Sequence, residues 1–175
     1  IFFFTNNACK TVVDNIEKMN GNLYTSLYDS EGNSRLQKII NFQMERKLSD
    51  EKIKPLLIVL DDCVNDPSFL KRRSPVIDLY SNARHYSISI ISIFQKLTQV
   101  SPLVRDNSHY KIFYKMSPRD VNRVVDECSY WETPENFRKI LVDATKEKYS
   151  FLMIDLKRRL MRKCFSDVVL SREFI

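Results

Sequence analysis

Two adjacent carboxylates, Asp61 and Asp62, directly follow the apolar run "PLLIVL" (55–60), and an amide, Gln95, directly follows a second run, "ISIISIF" (88–94). In a parallel α/β sheet, ligands gather at the carboxyl ends of the strands. If the two runs are neighbouring strands, an acid pair and an amide meet on one rim. Such a set can work on a nucleoside triphosphate. One carboxylate holds magnesium through its water shell while the metal bridges the β- and γ-phosphates. A second acid orients or deprotonates the attacking water, and a strand-end glutamine senses the γ-phosphate or positions that water. The same acids also suit a plain turn in which Asp62 caps backbone amides, and on these residues alone both readings stand.

The elements that would position them alternate along the chain. Five apolar or alternating runs predict strands: "IFFFT" (1–5), "PLLIVL" (55–60), "ISIISIF" (88–94), "YKIFYKM" (110–116) and "YSFLMIDL" (149–156). The first three are nearly continuous in apolar residues, as expected of strands covered on both faces, whereas the last two alternate and belong nearer an edge. Between them, "SRLQKIINFQMERKLSD" sets Leu36, Ile39, Ile40, Met44 and Leu48 on one helical stripe. A helix opening at Asp66-Pro67 should be interrupted or kinked at Pro75. Ser117-Pro118 and Thr133-Pro134 open two more. This alternation predicts an α/β fold with a mainly parallel sheet and flanking helices. No repeat, low-complexity tract or linker divides residues 1–175, which read as one domain, and Tyr24, Tyr28, Tyr80, Tyr110 and Tyr114 read as packing residues.

Composition narrows the class. At 175 residues, 43% hydrophobic and 29% charged, the chain can bury a core and is too apolar for a disordered one. Its apolar runs fall far short of the ~20 residues that cross a bilayer, and no signal segment opens it; the expectation is a soluble, intracellular protein. Cys9, Cys63, Cys128 and Cys164 form no C-x-x-C pair, and His85 and His109 do not sit near them at zinc-site spacing, which favours reduced thiols. A net charge of +6 suits a polyanionic partner. Positive charge concentrates in "LKRRS" (70–74) and in "DLKRRLMRKC" (155–164), where Lys157, Arg158, Arg159, Arg162 and Lys163 either contact phosphates or form a solvated face.

Taken in order, "LLIVLDD", the "ARHYSIS" turn into the next strand, the terminal Gln95 and "PLVRDNS" before a further strand resemble the DNA-packaging ATPases of nucleocytoplasmic large DNA viruses. These are the poxvirus-type members of the HerA/FtsK superfamily of P-loop NTPases. The resemblance runs from residue 54 to residue 127, with only the strand–helix layout matching on either side. It implies an ATP-driven motor, working as a homo-oligomeric ring with ATP and Mg2+, that translocates double-stranded genomic DNA into capsids. Capsid components would be further partners, and the host cytoplasm (the viral factory) or the virion its location. By motif match Asp61 is the magnesium-associated Walker B acid, Asp62 the acid that activates water, and Gln95 the polar sensor. An arginine acting on the neighbouring subunit's ATP would be Arg105 or Arg84, of which Arg105, just beyond Gln95, is preferred. Lys157, Arg158, Arg159 and Arg162 would contact DNA if they line the pore.

One departure from that family is plain. Such ATPases cradle phosphates on backbone N–H groups of G-x-x-x-x-G-K-[ST], yet the only glycines here are Gly21 and Gly32, neither followed by Lys-Ser or Lys-Thr. Cys9-Lys10-Thr11 has nothing glycine-like before it and should open a surface helix. In the family the phosphate loop and its helix precede a strand like "IFFFT", which makes this chain the part of an ATPase domain from the second strand onward. The absent first strand belongs between the fourth, "ISIISIF", and the fifth, "YKIFYKM", so two unpaired edges and an uncovered apolar surface are expected. The competing function is a degenerate, non-hydrolysing relative kept for DNA contact or ring assembly. A magnesium nuclease built on Asp61 and Asp62 ranks last, for want of a further carboxylate–lysine set.

Overall fold

The computed structural model describes residues 1–49, 52–63, 74–130 and 132–171. The chain divides into two units, residues 1–107 and 108–175. In the first, β1 (Phe2–Thr5), β2 (Asn22–Tyr24), β3 (Leu56–Asp61) and β4 (Ile88–Ile93) form a parallel sheet in the order β2-β1-β3-β4. Parallel neighbours require crossover connections, and α1 (Lys10–Lys18), α2 (Arg35–Leu48) and α3 (Pro75–Asn82) lie between the strands in sequence. A short α4 (Pro102–Asp106) follows β4. The core gathers Phe4, Ile58, Leu60 and Ile88 of the sheet with Leu36 and Ile40 of α2 and Val76 and Leu79 of α3. α1 opens at Lys10 after Cys9, as the sequence suggests for a segment that is not a phosphate loop.

Three expectations change here. The stripe of α2 holds for Leu36, Ile39 and Ile40, but Met44 and Leu48 are exposed, and Gln43 is buried in their place. Its Nε2 donates to the carbonyls of Lys54 (3.1 Å) and Tyr86 (2.8 Å). Those carbonyls precede β3 and β4, so a buried amide satisfies strand-entry groups that an apolar side chain would orphan. Pro75, expected to interrupt or kink a helix, begins one among the described residues: Ser74 accepts from the Ile77 N–H and Pro75 takes the first helical position. Asp66, Pro67 and most of the 70–74 basic cluster lie outside the described residues.

The third change concerns β4. Expected to be covered on both faces, it buries alternate residues only, leaving Ile91 and Ile93 about half exposed at 49% and 50%. It is also the terminal strand of its sheet. The core-facing side is fixed by the Tyr80 hydroxyl of α3, which hydrogen-bonds Ser92; the period of two turns Ile91 and Ile93 the other way.

In the second unit β5 (Tyr110–Tyr114), β6 (Phe151–Asp155), β7 (Leu160–Lys163) and β8 (Asp167–Ser171) form an antiparallel sheet in chain order. The parallel sheet is thus confined to the first unit, and the strands foreseen at 110–116 and 149–156 pair antiparallel. β5 is terminal, as its alternation suggests, while β6 lies inside. β4 and β5 are therefore each the terminal strand of their own sheet among the described residues. α5 (Pro118–Cys128) and α6 (Pro134–Ala144) contribute Val124, Val125, Phe137 and Leu141, buried like Leu152, Ile154 and Met161 of the strands. Tyr110 and Tyr114 stand more than half exposed on β5, although the Tyr114 ring packs against Phe151 with centroids 5.3 Å apart.

α3, α4, α5 and α6 share one start: Ser or Thr at the cap, its oxygen accepting a backbone N–H, and Pro next. The four cysteines are free thiols, and among the described residues no helix is long and apolar enough to cross a membrane.

Candidate functional site

β1, β3 and β4 run parallel and end together, with Thr5 beside Asp61 and Asp61 beside Ile93. The carboxyl rim of the sheet therefore collects Thr5, Asn6 and Asn7 after β1, Asp61 and Asp62 at the end of β3, and Gln95 two residues beyond β4. β3 and β4 are neighbours, so the acid pair and the amide share one rim; Gln95 is exposed there.

Both acids are held from the β1 side. The Thr5 hydroxyl, itself buried, donates to Asp61 Oδ2 at 3.0 Å and accepts the Asn7 backbone N–H at 3.1 Å. Asn7 Nδ2 donates to Asp62 Oδ2 at 3.2 Å, and Asn6 Nδ2 donates to the Asp62 carbonyl at 3.2 Å. Asp62 lies in the left-handed region (φ 51°), which Asp and Asn tolerate better than most residues. From the other side its N–H donates to the Ile93 carbonyl at 3.1 Å. The Asp62 backbone is thus pinned to both neighbouring strands as it leaves the sheet. Thr5, Asn6 and Asn7 are not among the site residues expected from sequence. They stand after "IFFF" just as Asp61 stands after "LLIVL", so the strand-end rule applied to the first run points to them.

The two candidate arginines part company. Arg84 lies in a 3₁₀ turn (Ala83–Tyr86) before β4, at the amino end of that strand. Six strand residues, about 20 Å of rise, separate that end from the acid rim. Arg105 lies in α4, beyond the rim end of β4, with Nη1 donating to the Leu97 carbonyl at 3.3 Å.

The basic segment forms the β6–β7 hairpin. Lys157, Arg158 and Arg159 are exposed on its turn, with Arg159 left-handed at φ 53°. The buried Asp155 secures the turn: Oδ1 accepts the Arg158 backbone N–H at 2.9 Å, and Oδ2 lies 4.0 Å from Arg158 Nε. Arg162, on β7, donates from Nη1 to the Ser166 carbonyl at 3.1 Å, and Lys163 pairs with Glu147 at 3.2 Å. The turn therefore gathers three exposed cations, Arg158 of them beside Asp155, and the two β7 cations are partly engaged as well.

Asp61 and Asp62 are the acidic side chains of the rim that could hold a metal ion. Among the described residues, the side-chain hydrogen bonds to each acid fall on Oδ2, and paired carboxylates suit an ion that keeps several waters. No group of three or more potential metal-ligating side chains occurs among the described residues. No glycine-rich loop is present in the 175 residues to approach phosphates closely.

Against known proteins, the family model described as Poxvirus A32 protein matches residues 12–163. Among solved structures, the fold is similar to the DNA-packaging ATPase B204 from Sulfolobus Turreted Icosahedral Virus (16% identity, TM-score 0.63, covering 99% of this chain and 82% of that one). It is also similar to the genome packaging NTPase B204 from Sulfolobus turreted icosahedral virus 2. With ATP-gammaS that structure gives 14% identity and TM-score 0.57, and with AMP 13% and 0.60, each covering 99% of this chain and 83% of that one. No curated protein matches the chain.

Proposed function

The chain belongs to the Poxvirus A32 protein family, and from that premise we propose that it supplies the acid rim and a DNA-contacting hairpin of an ATP-driven motor that moves viral genomic DNA into capsids. The two units are parts of one ATPase domain in this reading, and the domain works as a homo-oligomeric ring. Support comes from relatives of the same fold named as genome-packaging NTPases and solved with nucleotides. One observation carries it: the Asp61–Asp62 pair leaves β3 beside the end of β4, two residues before Gln95.

In this reading Asp61, anchored through Oδ2 by Thr5, directs Oδ1 to the water shell of a magnesium ion. Asp62, anchored by Asn7, orients the attacking water and takes up its proton. Gln95, exposed at the same rim, fixes that water from the β4 side. Arg105 is the better candidate to act on a neighbouring subunit's nucleotide, because it lies on the rim side of β4. Bound ATP would supply the electrophilic γ-phosphoryl group; residues outside these 175 must hold its phosphates. Lys157, Arg158, Arg159 and Arg162 contact the DNA backbone without reading sequence.

The second reading, a non-hydrolysing relative serving DNA contact or ring assembly, is favoured by the missing glycine-rich loop. The test is magnesium-dependent ATP turnover by the protein expressed from the complete reading frame that encodes this chain, with Asp61→Ala and Asp62→Ala as comparisons. The motor reading expects DNA-stimulated turnover, lowered roughly 100- to 10,000-fold by Asp62→Ala, and no turnover by the 175 residues alone. A complete protein that binds DNA but turns over no ATP would establish the second reading instead.

A further inference from the structure

The acids of the rim do not hold their own aim. Each gives its Oδ2 to a side chain from the end of β1: Asp61 to the Thr5 hydroxyl at 3.0 Å and Asp62 to the Asn7 amide at 3.2 Å. A carboxylate only accepts, so the Asn7 amide must present its NH2 group to Asp62, and Thr5 must spend its one proton on Asp61. Thr5 Oγ1 in turn accepts the Asn7 backbone N–H at 3.1 Å, so the two restraints are mechanically one unit. Asn6 adds a tie to the Asp62 carbonyl at 3.2 Å. Thr5 is only 1% exposed and pairs in register with Asp61, which leaves its hydroxyl little room to turn elsewhere.

From this geometry we propose that Asn7 and Thr5 are positioning residues for the reaction of the acid rim: Asn7 aims the carboxylate of Asp62, and Thr5 aims that of Asp61. The inference rests on the motor reading above and goes beyond it in assigning the aim of both acids to the segment after β1. Tying Oδ2 restricts the rotation of each carboxylate and with it the direction of Oδ1. A water-activating group displaced by about 1 Å can cost on the order of a hundredfold in rate, and partners that orient active groups typically matter 10- to 100-fold. Asn7 is the cleaner probe because it is exposed and outside the core.

The experiment uses the protein from the complete reading frame and steady-state ATP hydrolysis. Asn7→Ala should lower kcat about tenfold while leaving the KM for ATP within about twofold, since only the aim of Asp62 is lost. In the Asp62→Ala background, Asn7→Ala should cause no further loss, because it acts through the group already removed. Thr5→Val, which keeps volume and deletes the hydroxyl, should raise the magnesium concentration for half-maximal activity about tenfold, and Thr5→Ser should restore it. If Thr5→Val fails to fold, Asn7 carries the test alone.

A kcat unchanged by Asn7→Ala overturns the proposal. So does an equal loss in the presence and absence of Asp62, which would make Asn7 a structural residue. A complete protein in which Asp62→Ala itself has no effect defeats the motor reading, and this inference with it. An active protein in which Asp62 matters and Asn7 does not defeats this inference alone.

Discussion

In residues 1–107 neighbouring strands finish on the same side, so residues leaving β1, β3 and β4 converge without a turn having to bring them together. In residues 108–175 neighbouring strands finish on opposite sides, and β6 hands directly to β7 through a tight turn. The first arrangement yields a rim where Thr5, Asn7, Asp61 and Asp62 form one hydrogen-bonded set. The second yields a hairpin whose turn exposes Lys157, Arg158 and Arg159. Parallel pairing concentrates chemistry at a shared edge. Antiparallel pairing presents a short, rigid loop, suited to touching a polymer and not to assembling a reaction centre. The acid pair falls in the first unit and the hairpin cations in the second.

The largest test of that division is energetic. Phe137 on α6 and Phe4 on β1 are both fully buried, each in its own unit. Phe137→Ala should destabilise the second unit by about 3–5 kcal/mol, read by native-state amide exchange as lost protection in β5–β8 with β1–β4 retained. Phe4→Ala should give the mirror image. Uniform loss of protection in both variants would show a single cooperative body and dissolve the comparison.

How far the sequence discloses these units depends on how directly a residue's neighbours determine its place. The strands of the parallel sheet were legible because apolar runs such as "LLIVL" admit few other fates, and the helix starts because Ser-Pro and Thr-Pro place a cap and a fixed φ side by side. The adjacency of the acid pair and the Gln95 end of β4 stood only as a condition in the sequence, which the pairing of β3 with β4 meets. Gln43 was not legible: it occupies a core position for two carbonyls distant in sequence, which no periodicity announces. β7 was hidden because "LMRK" sends a single residue, Met161, fully inward and carries cations beside it. The antiparallel sense of β5 and β6 was hidden for a related reason, since alternation marks a half-covered strand and not its direction.

A middle-sized effect tests the hairpin. Arg158→Glu together with Arg159→Glu should weaken binding to random-sequence duplex DNA about tenfold at physiological salt and reduce the salt slope by about 2. ATP turnover without DNA should be unaffected, because both residues belong to the other unit from the acids. Filter binding or fluorescence anisotropy across a salt series reads both quantities. Unchanged affinity and slope would assign the hairpin to solvent and leave the second unit without a DNA role.

The smallest effect concerns an ordinary connection and separates acid-sensitive stability from the chemistry of the rim. Asp29, between β2 and α2, accepts a hydrogen bond from the Lys38 ammonium and others from the backbone N–H groups of Asn33 and Glu31. These, led by Lys38, hold its carboxyl well below the ordinary value of 3.8. Because the folded carboxyl is more acidic than the unfolded one, its contribution is fully present above the unfolded value and fades as pH falls toward the folded one. Asp29→Asn should therefore lower the stability of the first unit slightly at neutral pH and flatten its decline under acid, seen in chemical denaturation at a series of pH values. The interaction is exposed and screened, so the change should be small and should shrink in high salt. An acid limb identical to wild type would mean that this loop is held by its backbone turn alone, whatever charge Asp29 carries.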